Sequence, residues 1–438
     1  MFDLPKYGNG VCLARMGLLL DALAVDRAAL QRMSVVVTGS NGKGSTAAFC
    51  ASIARAYGLR TGLFTSPHLF RFNERFQVNG KPIGDDALKR LVSRIEAAIA
   101  DISQRRGEKF GAFEALFALA CLHFQESQCD FAVFEAGIGG RYDPVRLVGA
   151  RFTCVTSVDY EHVELLGNAL ELIASDKSDA CAAGGSIVYG ENCRKQAMHL
   201  LEYNRHRQIA SLFVRDDIGI GGETVSVTGQ RFDFRFGSWN FQALEMRLHG
   251  TFQFNNAAIA VTMFLLWLGR VLPKATPVAI ESAARSGLRD TRWPGRLEVI
   301  QPDPLTIIDV GHTPDAIRQS LASLKTIHGA DDWMLVIGIS SDKNATEIAG
   351  ALAPSFDTIV CTAAHHKGAD AERIAEAARE ANPHADIQVA VTIEAAVSLS
   401  RTLATSRQRR IYVAGGLFSA IEYATVARGG RVQDLNFF

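Results

Sequence analysis

The sequence predicts an α/β protein of two domains. The first is a phosphate-loop (P-loop) domain on a mostly parallel sheet, and the second a smaller Rossmann-like C-terminal α/β domain. Three observations carry this expectation. Short β-branched runs alternate with long helical patterns, a glycine-rich loop follows the first strong strand and opens a helix, and a second strand–helix rhythm starts after a Trp-Pro-Gly break. At 438 residues the chain is long for one domain, and 48% apolar against 21% charged residues supplies large cores.

In chain order, "SVVVT" (34–38), "RTGLFT" (60–65), "DFAVFEA" (130–136), "FTCVTSV" (152–158) and "GSIVYG" (185–190) read as strands of the first sheet. Helical stretches such as "STAAFCASIARAY" and "FEALFALACLHFQE" separate them. From about 210 to 250 the texture changes to period-two alternation in "TVSVTG", "RFDFRFG" and "ALEMRLHG", which predicts an antiparallel insert. The apolar run "AAIAVTMFLLWL" (257–268) is too short to span a bilayer and predicts a buried helix. "TRWPGR" (291–296) breaks any helix, so a hinge is expected at about 287–297, between domains at 1–290 and 297–438. The second domain draws its strands from "LTIIDV", "WMLVIGI", "DTIVC", "IQVAV" and "IYVAG".

Lys plus Arg equals Asp plus Glu at 46 each, so no net field points to nucleic acid or an anionic membrane as partner. The opening "MFDLPKYGNG" has no apolar targeting segment, and the eight cysteines form no CxxC pair and no zinc spacing. A reduced, cytoplasmic protein is expected.

The stretch "VVVTGSNGKGSTAAF" (35–49) breaks the usual phosphate-loop pattern G-x-x-x-x-G-K-[ST] at two places, Val37 and Gly44. It nevertheless has the strand–loop–helix context such a loop needs. Glycines let backbone N–H groups close around an anion, Lys43 adds a charge, and the helix N-terminus adds its dipole. Ser45 or Thr46 offers a hydroxyl to a magnesium ion. Glu135, at the carboxyl end of an apolar strand, is the matching carboxylate. A further strand reads as ending in Asp159, Glu161 and His162, with Lys177 fifteen residues on in a helical pattern.

Seven stretches in register, "TGSNGKGST", "GLFTSPHLFRFNERFQVNGKPI", "FEAGIGGRYD", "EHVELLG", "SDKSDA", "WPGRLEV" and "DVGHTP", resemble the folylpolyglutamate synthase/dihydrofolate synthase family of the Mur ligase superfamily. The resemblance runs from about residue 5 to the end. It implies a Mur-ligase-like fold and an ADP-forming ligase that activates a carboxylate as an acyl phosphate before an amine attacks. Its cofactors would be ATP and Mg²⁺. Its partners would be a small-molecule carboxylic acid and an amino acid or amine, with the chain a monomer.

Carried over residue by residue, the resemblance puts Gly39, Asn41, Gly42, Lys43, Gly44, Ser45 and Thr46 on the nucleotide, with Asn256 beside the adenine. Arg296 and Asp309 would reach the phosphates and ribose. Ser45 and Glu135 would hold one Mg²⁺, and Ser66 and His162 would serve near a second. Lys177 matches a carbamylated lysine, and Lys43, His162, Lys177 and His312 form the implied catalytic set. Arg75, Asp143, His312, Thr313 and Gly416 fall on the substrates. The acceptor side departs from the family at Thr313, where the family has Asn, and at Gly416, where it has Ser. Two alternatives therefore stand beside a folate-type ligase. One is a paralogue joining a non-folate acid to another amino acid or amine; the other is a non-catalytic nucleotide-binding or regulatory protein.

Overall fold

A computed structural model describes residues 4–5, 10 and 13–437; Cys12 and most of the opening segment lie outside them. The first sheet contains β1 (Ser34–Thr38), β2 (Thr61–Phe64), β3 (Phe76–Val78), β4 (Lys81–Pro82), β5 (Phe131–Glu135), β6 (Phe152–Val155), β7 (Ser186–Tyr189) and β8 (Ala210–Phe213). Their spatial order is β4-β3-β2-β5-β1-β6-β7-β8. The strands from β2 to β8 in that order pair parallel, while β3 and β4 turn back antiparallel at the edge. β1, β2 and β5 are buried along their whole length, which is why they read as continuous apolar runs. The chain leaves β1 toward one edge and, after β5, crosses to the other. The carboxyl ends of β1 and β5 thus lie where the strand order reverses, the place where open α/β sheets gather ligands.

A three-stranded antiparallel sheet follows, β9 (Ile218–Ser226), β10 (Gly229–Phe236) and β11 (Trp239–Met246). It begins later than the change of texture suggests, because β8 still pairs parallel with β7 and is too short to show a period. By length and composition alone the helix Gln253–Val271 would pass for a membrane span, yet 72% of its apolar window is buried inside the fold. It packs on the helix Lys43–Ala56 that follows the glycine-rich loop. Its Trp267 is 1% exposed, lies edge-on to Phe131 with ring centroids 4.7 Å apart, and donates its indole N–H to the Arg32 carbonyl at 2.9 Å. Trp267→Ala empties this site and is expected to cost about 3–5 kcal/mol of stability, read as a lower urea midpoint.

The second large sheet takes β12 (Glu298–Pro302), β13 (Leu305–Ile308), β14 (Trp333–Ile337), β15 (Thr358–Thr362), β16 (Asp386–Ala390) and β17 (Arg410–Ala414), in the order β12-β13-β17-β14-β15-β16. All pair parallel except the edge strand β12. The two halves share apolar contacts. Trp293 packs against the core around the helix Lys43–Ala56, and Leu69 and Phe70 pack against the core around Ile308 and Val310.

Candidate active site

The loop after β1 is held from beneath by the segment after β6. The Ser40 N–H donates to the Ser157 carbonyl at 2.9 Å, the Asn41 N–H to Ser157 Oγ at 2.8 Å, and Thr156 Oγ1 to the Asn41 carbonyl at 2.6 Å. Gly39 has φ +138°, and a Cβ there would come within 2.0 Å of Thr156 Oγ1, so only glycine closes this turn. The two breaks in the usual pattern have local causes. Val37 is still a strand residue, paired in register with Glu135. At Gly44 a Cβ would meet the Trp293 ring at 2.9 Å, so a hydroxyl-bearing residue has no room and the hydroxyls come next, at Ser45 and Thr46. The Lys43 ammonium donates to the carbonyls of Gly39 and Ser40 at 2.7 and 3.2 Å. A phosphate oxygen is a stronger, charged acceptor for those donors.

Glu135 ends β5 at 4% exposure and accepts the Ser66 N–H at 3.1 Å. Burial pushes its carboxyl up to about 7, against the pull of Lys43, Arg296 and Arg75. A buried carboxylate this short of positive charge suits a cation, and Ser45 lines the same cleft. Among the described residues no three His, Cys, Asp or Glu side chains gather as a metal cluster. The donor set therefore fits Mg²⁺ bound by one carboxylate and one hydroxyl and completed by phosphate oxygens and water.

β6 ends at Val155, so His162 stands in the loop beyond the strand rather than at its end, exposed toward the cleft. Its neighbour Glu161, named in the sequence beside His162 without a role, lines the same cleft and pairs with a buried lysine. Lys177, 0% exposed in the helix Leu170–Ser178, forms a short ion pair with Glu161. Burial alone would raise the Glu161 carboxyl, but Lys43 and Lys177 outweigh it and hold it down to about 2. A fully buried ammonium demands an anion, and that demand was the signal for Glu161.

The second sheet closes the other side. Asp309 is 2% exposed and accepts from the Gly311 N–H at 2.9 Å, Ser320 Oγ at 3.0 Å and the Leu297 N–H at 3.1 Å. Thr313 caps the helix Pro314–His328 and donates its hydroxyl to Asn41 Oδ1 at 3.3 Å, a direct bond between the second half and the phosphate loop. At Gly416 a Cβ would lie 3.0 Å from the Gly338 carbonyl oxygen, closer than side chains ordinarily pack.

One cleft of about 270 Å³ gathers Asn41 to Ser45, Ser66, Glu135, Glu161 and His162 from the first half with Arg296, Asp309, His312 and Thr313 from the second. Seven expected site residues do not line it, and two of them, Arg75 and Asp143, line the cavity beside it. Gly39 and the buried Thr46 support the loop, Lys177 reaches the cleft only through Glu161, and Gly416 stands behind Leu417. Asn256 lies behind Gly42, 3% exposed, with its amide donating to Gln253 Oε1 at 3.0 Å. That position backs onto the phosphate loop.

A second cavity of about 470 Å³ adjoins the cleft and shares Ser66, Pro67, Gly137 and His162 with it. Phe113, Ile138, Tyr142, Pro144 and Leu165 give it apolar walls, and Arg75, Glu114, Asp143, His162 and Asp176 are among its polar groups. Arg75 is 6% exposed, and burial lowers its guanidinium to about 10 although Glu135 and Glu74 oppose the shift. Asp143 accepts the N–H groups of Gly137, Ile138 and Val145 at 2.8 to 3.0 Å, so its carboxylate shapes the pocket floor.

Comparison with known proteins adds three findings. The Mur ligase middle domain matches residues 37–264, and the Mur ligase glutamate ligase domain matches residues 295–417. The chain is 32% identical over 340 residues to the dihydrofolate synthase/folylpolyglutamate synthase of Bacillus subtilis, covering 77% of each chain, and 32% identical over 324 residues to the folylpolyglutamate synthase of Lacticaseibacillus casei, covering 74% of each. The solved folylpolyglutamate synthase of Mycobacterium tuberculosis complexed with ADP and AMPPCP superposes with a TM-score of 0.83 at 27% identity, over 96% of this chain and 95% of that one.

Proposed function

Because this chain belongs to the folylpolyglutamate synthase/dihydrofolate synthase family of Mur ligases, we propose that it joins a pteridine-bearing acid, a dihydropteroate or a folate, to glutamate. The chain is an ATP-dependent ligase that forms an amide bond. Neither a different acid–amine pair nor a non-catalytic nucleotide binder is favoured. The observation that carries the choice of acid is the joined pair of cavities. A flat heteroaromatic ring suits the walls formed by Phe113, Tyr142 and Leu165, and the acid's carboxylate suits Arg75 in the same cavity.

In this reading the loop N–H groups and Lys43 hold the phosphate oxygens of ATP, and Arg296 adds positive charge from the opposite wall. Arg75 holds the acid's carboxylate so that one oxygen can take the terminal phosphoryl group, giving an acyl phosphate and ADP. The glutamate amine then attacks the acyl carbon, phosphate leaves, and the amide remains. A cleft walled by two sheets keeps water from that intermediate. Ser45 and Glu135 would hold one Mg²⁺, with Ser66 and His162 near a second; the ions would neutralise charge on the transferring phosphoryl group.

Lys177 pairs with Glu161 as an ammonium. A carbamate on Lys177 would set a second anion against Glu161, so carbamylation is proposed only with the second cation present. Labelled bicarbonate should mark Lys177 with Mg²⁺ and not without it. The unpaired cysteines among the described residues support the reduced, cytoplasmic setting of such a reaction.

The test is a matrix of dihydropteroate, folates and amino acids scored by ADP release. Arg75→Ala should raise the KM for the acid by about tenfold or more, the scale of a hydrogen bond between charged groups, while the KM for ATP moves little. An unchanged acid KM would remove Arg75 from the acid site.

A further inference from the structure

His68 lies in the loop after β2 and is 3% exposed. The Arg75 Nε–H donates to His68 Nδ1 at 2.9 Å. A guanidinium donates and never accepts, so Nδ1 must be the unprotonated nitrogen and the imidazole proton must sit on Nε2. That Nε2–H then donates to the carbonyl of Asn436 at 2.6 Å. Asn436 belongs to the segment Leu435–Phe437, which follows the last helix of the second half and crosses back to the first.

The crossing is built on both sides. The Phe437 ring lies nearly parallel to the His68 imidazole, 9° between planes with centroids 6.3 Å apart, and is braced from behind by Phe418 at 4.9 Å and His366 at 5.2 Å. Leu435 and Phe437 pack in the same apolar cluster as Leu69 and Phe70. One line of contacts therefore runs from the second half, through Asn436 and His68, to the guanidinium of Arg75 in the acid pocket.

We propose that the strap Leu435–Phe437 is a positioning element for the acid substrate: it fixes the His68 ring through the Asn436 carbonyl, and His68 in turn fixes Arg75. His68 acts as a positioning residue and touches neither reactant. The proposal rests on the reading of Arg75 as the acid's partner. It makes affinity for the acid depend on the second half of the molecule, although the acid pocket is built from the first. Binding of the acid and closure of the two halves become linked, because an opened molecule loses the Asn436 bond and frees the imidazole to turn away from Arg75.

The experiment compares the full chain with a chain lacking residues 435–438, with Phe437→Ala as a milder variant in case the deletion folds poorly, and with Arg75→Ala. Nitrogen NMR of the His68 imidazole reads its tautomer, and steady-state kinetics read the KM values for acid and ATP separately from kcat. Expected are one neutral tautomer with the proton on Nε2 in the full chain, loss of that single state in the deletion, and an acid KM raised by about tenfold, with the ATP KM within about twofold. Phe437→Ala should give a smaller rise in the same constant.

A proton on Nδ1 in the full chain would overturn the proposal. So would a strap deletion that leaves both the tautomer and the acid KM unchanged while Arg75→Ala raises that KM. If Arg75→Ala itself leaves the acid KM unchanged, the acid-pocket reading fails and takes the positioning role with it.

Discussion

Lys43→Ala should lower kcat by about 10³-fold, the loss seen when one preorganised charge donor is removed from a transition state. The ammonium rests 2.7 Å from the Gly39 carbonyl at the opening of the helix Lys43–Ala56, so it waits where the phosphates must sit. Phosphoryl transfer to a carboxylate crowds several negative charges together, and little in the reaction other than their neutralisation is left for the protein to do. The fold should survive the change, because the Lys43 side chain bonds to two loop carbonyls, those of Gly39 and Ser40, and to no residue of a strand or of another helix. Far-ultraviolet circular dichroism and the thermal midpoint would remain near those of the parent while ADP release disappears. A variant that kept its turnover would remove the glycine-rich loop from the chemistry.

Glu161→Ala should have a large effect on stability. It leaves the Lys177 ammonium, 0% exposed, without its carboxylate, and breaking a buried pair from one side costs about 3–5 kcal/mol. The double variant Glu161→Ala/Lys177→Met should recover most of that loss, since no charge then stays buried, while activity stays low because the cleft has lost an anion beside His162. Urea unfolding of both variants measures the first effect, and ADP release the second. Equal destabilisation of the single and double variants would mean that packing, not the unpaired charge, dominates there.

Much of this was legible in the residues. The strand that became β1, the loop after it and Glu135 at the end of β5 followed from apolar runs closed by glycine turns, because strands buried on both faces leave an unmistakable pattern. What stayed hidden had weak local signals. β3, β4 and the edge strand β12 are short and largely polar or half-buried, so no period marks them. Glu161 was visible beside His162, but its pairing depends on a lysine in the helix Leu170–Ser178 folding back against it. Asn256, expected beside the adenine, is carried by the helix Gln253–Val271 to a place behind Gly42 that no local pattern announces. Thr313 looked like a loss on the acceptor side; in the fold it caps a helix and bonds to Asn41 across the cleft. The contact of Asn436 with His68 spans nearly the whole chain, and no spacing in the sequence announces it.

As proposed, the phosphate cleft and the apolar cavity beside it act as one site, in which ATP activates a folate-type acid for attack by glutamate. The direct measurement is ADP release by the purified full chain with Mg²⁺ and ATP, using dihydropteroate or a folate with glutamate, and mass analysis of the product. ADP should appear only when both acid and glutamate are present, and the product should carry the mass of the acid plus one glutamate less one water. ADP release with some other acid–amine pair and none with these would contradict it, as would ATP binding with no turnover on any pair.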